Sequence, residues 1–491
     1  MSKATRTLLN QAATGAMPVR EMAAAFRRGD FTARELTAAT LENIARSNPA
    51  IRAFTCLSPT ALADAARADD ELARGLDLGP FHGIPIALKD IYDVKGMTTT
   101  CSSFHRLDHV ALLDSTIAER LRDGGAIIVG KLATYEFAFG DPQNDLPFPA
   151  ARNPWDLGYD TGGSSSGSGA AVAAGLLRVA FGTDTGGSIR CPAAWCGVTG
   201  LKPTAGRLSA AGVFPLSPTL DTCGPLAKSV DDAALALWAV HGLDQRDGKT
   251  VARPMPIFRH PISGDVAGLK IAVAANYLHD PSVEEQTRRG IMAALDALAR
   301  AGAEIAHVEL PEYSTFSACA HLILLSEAFA LHRARIASDF RKFGATLRQR
   351  LPLGAFVTQD DLAVARQLRE RLTDKLNDVL VRHDAIVTTC SLGTAGRPYA
   401  PDGVNPGDWP MRTIPFNLTG HPALAVPSGV AANGLPISLQ IVGRFFDEAT
   451  ILGIGRAIED VTGSDRWRIW PTPDKTLQAA GIKAAWNPSM F

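Results

Sequence analysis

Residues 161–203 read TGGSSSGSGAAVAAGLLRVAFGTDTGGSIRCPAAWCGVTGLKP, and this stretch organises the chain. It contains two Gly-Gly-Ser turns, at 162–164 and 186–188. Glycine pairs let the backbone take positive φ and approach another group closely. The small residues of 168–177 predict a tightly packed helix, and 178–183 predict a strand. A helix followed by a strand can bring the two turns back to one place, and this indicates an active site.

Ser188, in the second turn, is the candidate nucleophile. A serine hydroxyl attacks poorly until a base removes its proton. The glycines before Ser188 let several backbone N–H groups surround an oxyanion, and such donors lower a barrier by a few kcal/mol each. A phosphate-binding glycine turn is the alternative interpretation of the same residues.

The candidate base lies upstream, in HGIPIALKD at 82–90, where residues 84–88 predict a short apolar strand ending at Lys89. A lysine at a strand end is ordinarily solvated and charged. Catalysis requires a neutral amine, and burial or neighbouring dipoles lower the pKa of a lysine enough to provide one. Lys89 is therefore a base only if the fold buries it.

Together these motifs resemble the amidase signature family of serine hydrolases. The resemblance covers GGSSSGSGAAVAAG, GTDTGGSIRCPAAWCGVTGLKPT and the lysine motif, and it reappears in PFNLTGHPALAVP (415–427) and GLPISLQIVGRFFDEATIL (434–452). Ser166 departs from many members, which have glycine there. The motifs are highly specific and span most of the chain.

The resemblance implies a role for each matching residue. Ser188 would be the nucleophile, Lys89 the base, and Ser164, after a cis peptide bond from Gly163, the relay between them. The oxyanion donors would be the backbone N–H groups of Thr185, Gly186, Gly187 and Ser188. Three supporting residues are implied: Ser165, which would orient Lys89, and the pair Asp184 and Arg190, which flank the turn.

The order of predicted elements favours an α/β fold. We expect a single large domain, residues 1–491, with a mixed, mostly parallel central sheet covered by helices on both faces. Within it, residues 1–75 are expected to form a helical covering layer and 76–230 the core with the catalytic residues. Residues 231–491 are expected to add further βα units and the helices of the substrate pocket.

Composition narrows the function classes. The 491 residues are 46% hydrophobic and 20% charged, which indicates a globular protein. A net charge of −1 gives no reason to expect nucleic acid, and the uncharged apolar runs, such as 233–240, are too short to span a membrane. Seven cysteines without a framework pattern suit a reducing compartment. The expected location is therefore the cytoplasm, without nucleic-acid or membrane partners.

Two other site chemistries have partial matches in the sequence. Residues 163–167 also satisfy G-x-S-x-G, the nucleophile elbow of α/β-hydrolases, but the preceding 153–160 is loop-like where an elbow needs a strand. His421, the obvious triad histidine, belongs to the PFNLTGHPALAVP motif. His105 and His109 share helical spacing without a third ligand, so no metal site is predicted. No cofactor is expected.

The predicted function is an amidase that hydrolyses a small linear amide, carbamate or urea-type substrate through an acyl-enzyme. Pocket residues are expected at Tyr135, Phe137 and Phe139, in the 141–155 loop and in the 310–360 helices. The alternative is the amidase subunit of a tRNA-dependent amidotransferase. Such subunits carry a tyrosine-rich segment, whereas residues 317–345 contain no tyrosine, and this favours the free-standing enzyme. A homodimer is left open.

Overall fold

The computed structural model describes residues 3–143, 145–258, 260–397 and 411–466. Its strands are β1 Phe54–Leu57, β2 Pro85–Lys89, β3 Ile127–Leu132, β4 Val179–Asp184, β5 Thr199–Lys202, β6 Thr222–Ala227, β7 Lys270–Ala274, β8 Glu304–Val308, β9 Ala385–Thr389, β10 Ala423–Val430 and β11 Pro436–Gly443. They form one sheet in the order β1-β3-β2-β4-β6-β5-β10-β11-β9-β7-β8.

Helices flank this sheet. They are α1 Lys3–Ala13, α2 Val19–Arg28, α3 Ala33–Ile51, α4 Ala61–Ala73, α5 Thr116–Asp123, α6 Ser166–Ala173, α7 Arg190–Cys196, α8 Val230–Val240, α9 Ala275–Leu278, α10 Glu285–Arg300, α11 Tyr313–Asp339, α12 Ala345–Arg350, α13 Gln359–Leu380, α14 Pro415–Leu418 and α15 Glu448–Thr462. Short 3₁₀ turns lie at Glu136–Ala138, Phe340–Lys342, Leu351–Phe356 and Ser464–Arg466. One large α/β domain with a mixed sheet is confirmed.

The expectation that the sheet is mostly parallel is wrong. Among the described strands, β2 pairs in parallel with β3 and β4, and β7 with β8 and β9. The other six pairings are antiparallel. Short connections explain part of this difference: β10 and β11 are joined directly as a hairpin, without the crossover helix that a parallel pair requires.

The first 75 residues are not purely helical, because β1 lies among them and forms an edge of the sheet beside β3. Its residues Phe54 and Thr55 are buried. The predicted helical layer therefore also completes the sheet.

The central strands explain where the site lies. All residues of β2 and β4 are buried, as expected for strands covered on both faces. Because the two strands are parallel, their carboxyl ends meet at one edge, with Lys89 ending β2 and Asp184 ending β4. The antiparallel β6 begins at the same edge, where Thr222 pairs with Asp184. This edge brings together residues far apart in sequence.

Helix α6 packs tightly against the sheet because of its small residues. A Cβ on Gly167 would lie 2.3 Å from the carbonyl oxygen of Ala53 and 2.4 Å from the amide nitrogen of Ala133. Only glycine allows this approach. The close packing fixes the first Gly-Gly-Ser turn directly before the helix.

By length and composition, one stretch of the described residues, Tyr313–Lys342, is apolar enough to cross a membrane. The expectation concerned uncharged runs, and this stretch includes charged residues such as Glu327 and Arg333. Core helices of soluble proteins pass the same test, and α11 packs against α13 and α14.

Candidate active site

Lys89 is fully buried at the end of β2. Its Nζ lies 2.7 Å from Oγ of Ser164 and 2.9 Å from Oγ1 of Thr183. Burial lowers the pKa of Lys89 to about 7, although the nearby carboxylates of Asp221 and Asp184 oppose the shift. A substantial fraction of the amine is therefore neutral near pH 7 and can take a proton from Ser164.

Ser188 lies in the turn after β4 and is half-buried. Ser188 and Ser164 both line one cavity of about 280 Å³. The backbone also joins the two turns, because the N–H of Ser165 donates to the carbonyl of Ser188 at 3.2 Å. The two Gly-Gly-Ser turns thus meet, as the sequence indicates.

All four residues of the turn from Thr185 to Ser188 line the cavity. No hydrogen bond from these four N–H groups is found within the described part of the chain. The carbonyl of Gly186 accepts from Oγ1 of Thr413 at 2.6 Å. Gly187 has φ +134°, and a Cβ there would lie 2.1 Å from that same hydroxyl oxygen. Such free donors can receive an oxyanion.

Asp184 and Arg190 form a buried ion pair at 2.9 Å behind the turn. Burial raises the pKa of Asp184, but the Arg190 charge and hydrogen bonds lower it to about 2. Arg190 also donates to Asn417 at 2.6 Å and to Gln440 at 2.9 Å. The pair therefore links the turn to the C-terminal motifs and stays charged.

Ser165 is connected to Lys89 through Thr183. Its Oγ donates to the carbonyl of Thr183 and accepts from the N–H of Thr183, both at 3.2 Å. The hydroxyl of Thr183, not that of Ser165, contacts Lys89. Ser165 can therefore orient Lys89 only through Thr183.

The peptide bond between Gly163 and Ser164 is cis. Tyr135 supports this turn, since its N–H donates to the carbonyl of Ser164 at 3.1 Å. A Cβ on Gly163 would lie 2.1 Å from the Tyr135 ring. The Tyr135 hydroxyl donates to Asp160 at 3.1 Å.

The three aromatic residues predicted for the pocket separate in the structure. Phe139 lines the cavity, whereas Tyr135 and Phe137 do not. Phe137 is buried in an aromatic cluster, with ring centroids 5.0 Å from Phe214 and 4.5 Å from His332. The prediction placed all three in the pocket because sequence does not show which way neighbouring side chains point.

The rest of the cavity wall is largely apolar. The 310–360 region supplies Tyr313, His321, Leu324, Leu325, Arg350 and Leu353, and Leu216 and Ile414 complete it. The 141–155 loop, expected to shape the pocket, contributes none of the lining residues, although Asp141 pairs with Arg350 at 2.8 Å.

Sequence reasoning missed three residues that hold the site together: Thr183, Asp221 and Thr413. Thr413 lies two residues before the PFNLTGHPALAVP motif, and this proximity was an available signal. Thr183 falls inside a predicted strand, where nothing marks its hydroxyl as functional. Asp221 lies in a loop of ordinary composition.

The alternative chemistries find little support in the geometry. Residues 153–160 contain no strand, and His421 is hydrogen-bonded to Thr419 and Asn377 instead of to a serine. Within the described ranges, no group of three or more His, Cys, Asp or Glu side chains could hold a metal.

Comparisons with known proteins identify relatives of the whole chain. A family model described as Amidase matches residues 35–452. The A subunit of glutamyl-tRNA(Gln) amidotransferase from Geobacillus stearothermophilus is 36% identical over 473 residues, covering 90% of this chain and 97% of that protein. The solved structure of the corresponding amidotransferase protein from Thermotoga maritima has a TM-score of 0.75 and 32% identity, covering 96% and 99% of the two chains. Peptide amidase from Stenotrophomonas maltophilia has a TM-score of 0.78 and 30% identity, covering 91% and 97%.

These similarities correct the prediction of partners. The expectation of no nucleic-acid partner is wrong, because the similar proteins are named as subunits of an amidotransferase of glutamyl-tRNA(Gln). The expectation rested on a net charge of −1, which does not describe local surfaces or an assembly. With a family model matched over residues 35–452, the chain belongs to the amidase signature family.

Proposed function

We propose that this chain hydrolyses the carbon–nitrogen bond of a linear amide through an acyl-enzyme on Ser188, as the amidase subunit of a tRNA-dependent amidotransferase. The observation that carries the chemistry is the 2.7 Å contact between Lys89 and Ser164 at the cavity that Ser188 lines. Identity of 36% to an amidotransferase subunit, across 97% of its length, supports the assembly.

Acylation begins when Oγ of Ser188 attacks the amide carbon. Its proton passes to Ser164, whose own proton passes to the neutral amine of Lys89. The carbonyl oxygen becomes an oxyanion and is received by the free N–H groups between Thr185 and Ser188. The carbon–nitrogen bond then breaks as Lys89, through Ser164, returns the proton to the departing nitrogen.

Deacylation follows the same path in the opposite direction. Water attacks the ester on Ser188 and gives a proton to the relay, which returns it to the serine oxygen. The products are ammonia or an amine and a carboxylic acid. No metal is required at any step, because the amine supplies both base and acid.

The ion pair that Arg350 forms with Asp141 favours an amide that carries opposite charges at its far end. Arg350 lines the cavity and pairs with Asp141 at 2.8 Å. Both side chains are partly exposed, so a zwitterion can exchange partners with them: its carboxylate binds Arg350 and its ammonium binds Asp141. Glutamine and asparagine are amides of this kind.

The tyrosine-free segment 317–345 does not outweigh similarity along the whole chain. Tyr313, four residues earlier on the same helix, lines the cavity. A local difference of this kind is compatible with 36% identity, at which most positions differ.

A free-standing amidase for small apolar amides is the second candidate. The specific observation in its favour is the set of apolar side chains in the cavity, including Phe139, Leu324 and Leu325. Such walls bind aryl or alkyl groups well. The similarity to a peptide amidase also favours this candidate.

Paired substrates separate the two candidates. Butyramide has the carbon chain of the glutamine side-chain amide but lacks the charged groups. Ammonia release by the purified chain should be faster with glutamine than with butyramide, and Arg350→Met should remove this preference without affecting butyramide. A preference for butyramide or an anilide that is insensitive to Arg350→Met would favour the free-standing amidase.

A further inference from the structure

Asp221, directly before β6, contacts the oxyanion turn through its side chain. The hydroxyl of Thr185 donates to Oδ1 of Asp221 at 2.6 Å. The other oxygen, Oδ2, accepts from the N–H of Leu216 at 2.9 Å and of Ser217 at 3.1 Å. One carboxylate therefore joins the start of the turn to the loop that carries Leu216, a cavity-lining residue.

The turn needs such an anchor. Its four N–H groups have no partners within the described chain, so hydrogen bonds of the N–H groups themselves do not fix the turn. Gly186 and Gly187 add conformational freedom. Thr413 holds the carbonyl of Gly186 at 2.6 Å, which secures the middle. Behind the end of the turn, Asp184 accepts from the N–H groups of Ile189 and Arg190, both at 3.2 Å.

The start of the turn is held from the side by Asp221. Thr185 follows Asp184, and Asp184 pairs with Thr222 in the sheet, so the carboxylate of Asp221 lies beside Thr185 because of strand register. Register is set by the sheet as a whole, and this makes the anchor rigid.

We propose that Asp221 is a positioning residue of the reaction, which fixes Thr185 and thereby aims the N–H groups of the oxyanion turn. The proposal rests on the proposed acyl-enzyme chemistry at Ser188. It assigns Asp221 no contact with the substrate: the carboxylate acts through Thr185 on one side and through Leu216 on the other.

The charge of Asp221 also acts on the base. The titratable groups that face Lys89 are Asp221 and Cys223 at the start of β6, Asp184 at the end of β4, and Cys101 in the loop after β2. Among these, Asp221 opposes the burial-driven fall in the pKa of Lys89 most strongly. Loss of its charge should therefore lower the pKa of Lys89 further.

Four variants test the proposal. Asp221→Ala removes anchor and charge, and Asp221→Asn removes the charge but can still accept from Thr185. Thr185→Val breaks the hydrogen bond but leaves the carboxyl group, and Thr185→Ser keeps the hydroxyl. Asp244→Asn is the matched control, because Asp244 also accepts from a threonine, Thr116, whereas the threonine bound by Asp221 belongs to the oxyanion turn.

We expect Asp221→Ala and Thr185→Val to lower kcat about tenfold or more with little change in KM. Displaced N–H donors would stabilise the oxyanion of the transition state less well but would leave substrate binding unchanged. Thr185→Ser should restore kcat. The acid limb of kcat/KM should move to lower pH by roughly 0.5–1 unit in both Asp221 variants. It should move less in Thr185→Val, which keeps the carboxyl group but loses a hydrogen bond that lowers the pKa of Asp221. The double variant Asp221→Ala/Thr185→Val should have a kcat no lower than that of the poorer single variant, because both changes break the same contact.

The rate of phosphonylation of Ser188 by a fluorophosphonate provides a second readout, because it also places a negative oxygen in the turn. The labelling rate should fall in Asp221→Ala even if the amide substrate of the wild-type chain is not the proposed one. A failure of the proposed function can therefore be distinguished from a failure of this proposal. Each of three results would overturn the proposal. They are wild-type kcat and labelling rate in Asp221→Ala, an unmoved acid limb in Asp221→Asn, and a loss of kcat in Asp244→Asn equal to that in Asp221→Ala.

Discussion

The amine nitrogen of Lys89 lies 2.7 Å from the hydroxyl oxygen of Ser164, with both side chains almost wholly withdrawn from water. Lys131, on the neighbouring strand β3, is equally buried but pairs with Asp90 at 2.9 Å. Among the described residues, the hydrogen-bond partners of the Lys89 amine are two hydroxyls. Hydroxyl partners, unlike a carboxylate, do not hold a buried amine in its charged form by opposite charge. The contrast separates a structural lysine from a base.

Ser188→Ala should abolish both turnover and labelling by a fluorophosphonate, because the attacking oxygen is gone. Ser165→Ala is the matched control, since it removes the next serine but leaves the nucleophile. Mass spectrometry of the labelled peptides measures the outcome. A label on Ser165 in the wild-type chain would instead support the nucleophile elbow at 163–167.

Exhaustive chelation should leave amide hydrolysis unchanged. The proposed chemistry uses an amine and two hydroxyls, and within the described residues no cluster of metal-ligand side chains is present. Activity before and after dialysis against EDTA measures this. A loss that zinc restores would contradict the mechanism.

Thr183→Val should lower kcat/KM by roughly 3- to 10-fold, as expected for loss of one hydrogen bond. The valine keeps the shape of threonine but cannot bind Lys89, so the amine is less well oriented. The hydroxyl oxygen also accepts from the protonated amine, so its loss should move the acid limb of kcat/KM to lower pH. Thr183→Ser should behave nearly as wild type. Equal losses in both variants would mean that packing, not the hydroxyl, matters.

Asp232 should contribute to stability without affecting chemistry. Its buried carboxylate accepts from Arg178 at 2.7 Å and from the N–H of Val19 at 3.0 Å, so it ties α2 to α8. Asp232→Ala leaves a buried arginine unpaired and should cost about 3–5 kcal/mol in the free energy of unfolding. Asp30→Ala, at the exposed pair with Arg28, should cost at most about 1 kcal/mol. Urea titrations compare the two, and similar losses would contradict the assignment.

Elements with strong local patterns were predictable from sequence. Strands β2, Pro85–Lys89, and β4, Val179–Asp184, lie one residue from the predicted 84–88 and 178–183. Short runs of apolar residues of this kind favour buried strands. The family motifs also located the serines and the lysine.

The rest depended on pairing across the sheet. Strands β5 and β6, Thr199–Lys202 and Thr222–Ala227, contain glycine, lysine and proline, which are weak strand formers. They are strands because their neighbours supply hydrogen bonds. The same pairing brings Asp221 to Thr185, 36 residues apart, and no local pattern encodes such a contact. Long-range register therefore limited the sequence-based prediction of the site.

The most direct test of the relay is the pH dependence of Lys89. The pKa of Lys89 is lowered to about 7 by burial, so the amine is protonated below this pH and cannot act as base. We expect kcat/KM for an amide to rise with pH through about 7 and then to level off. Lys89→Ala should remove this limb and reduce amide hydrolysis severely. An unchanged limb in Lys89→Ala would assign the titration to another group.

Leaving groups show whether the lysine also acts as an acid. An amide nitrogen departs only when protonated, whereas a nitrophenolate departs without a proton. Lys89→Ala should therefore damage hydrolysis of an amide more than that of a nitrophenyl ester with the same acyl group. Ser164→Ala should show the same bias more mildly, because a water molecule can bridge the gap between Lys89 and Ser188. Equal losses on amide and ester would mean that Lys89 only positions the serines, and the proton relay would be wrong.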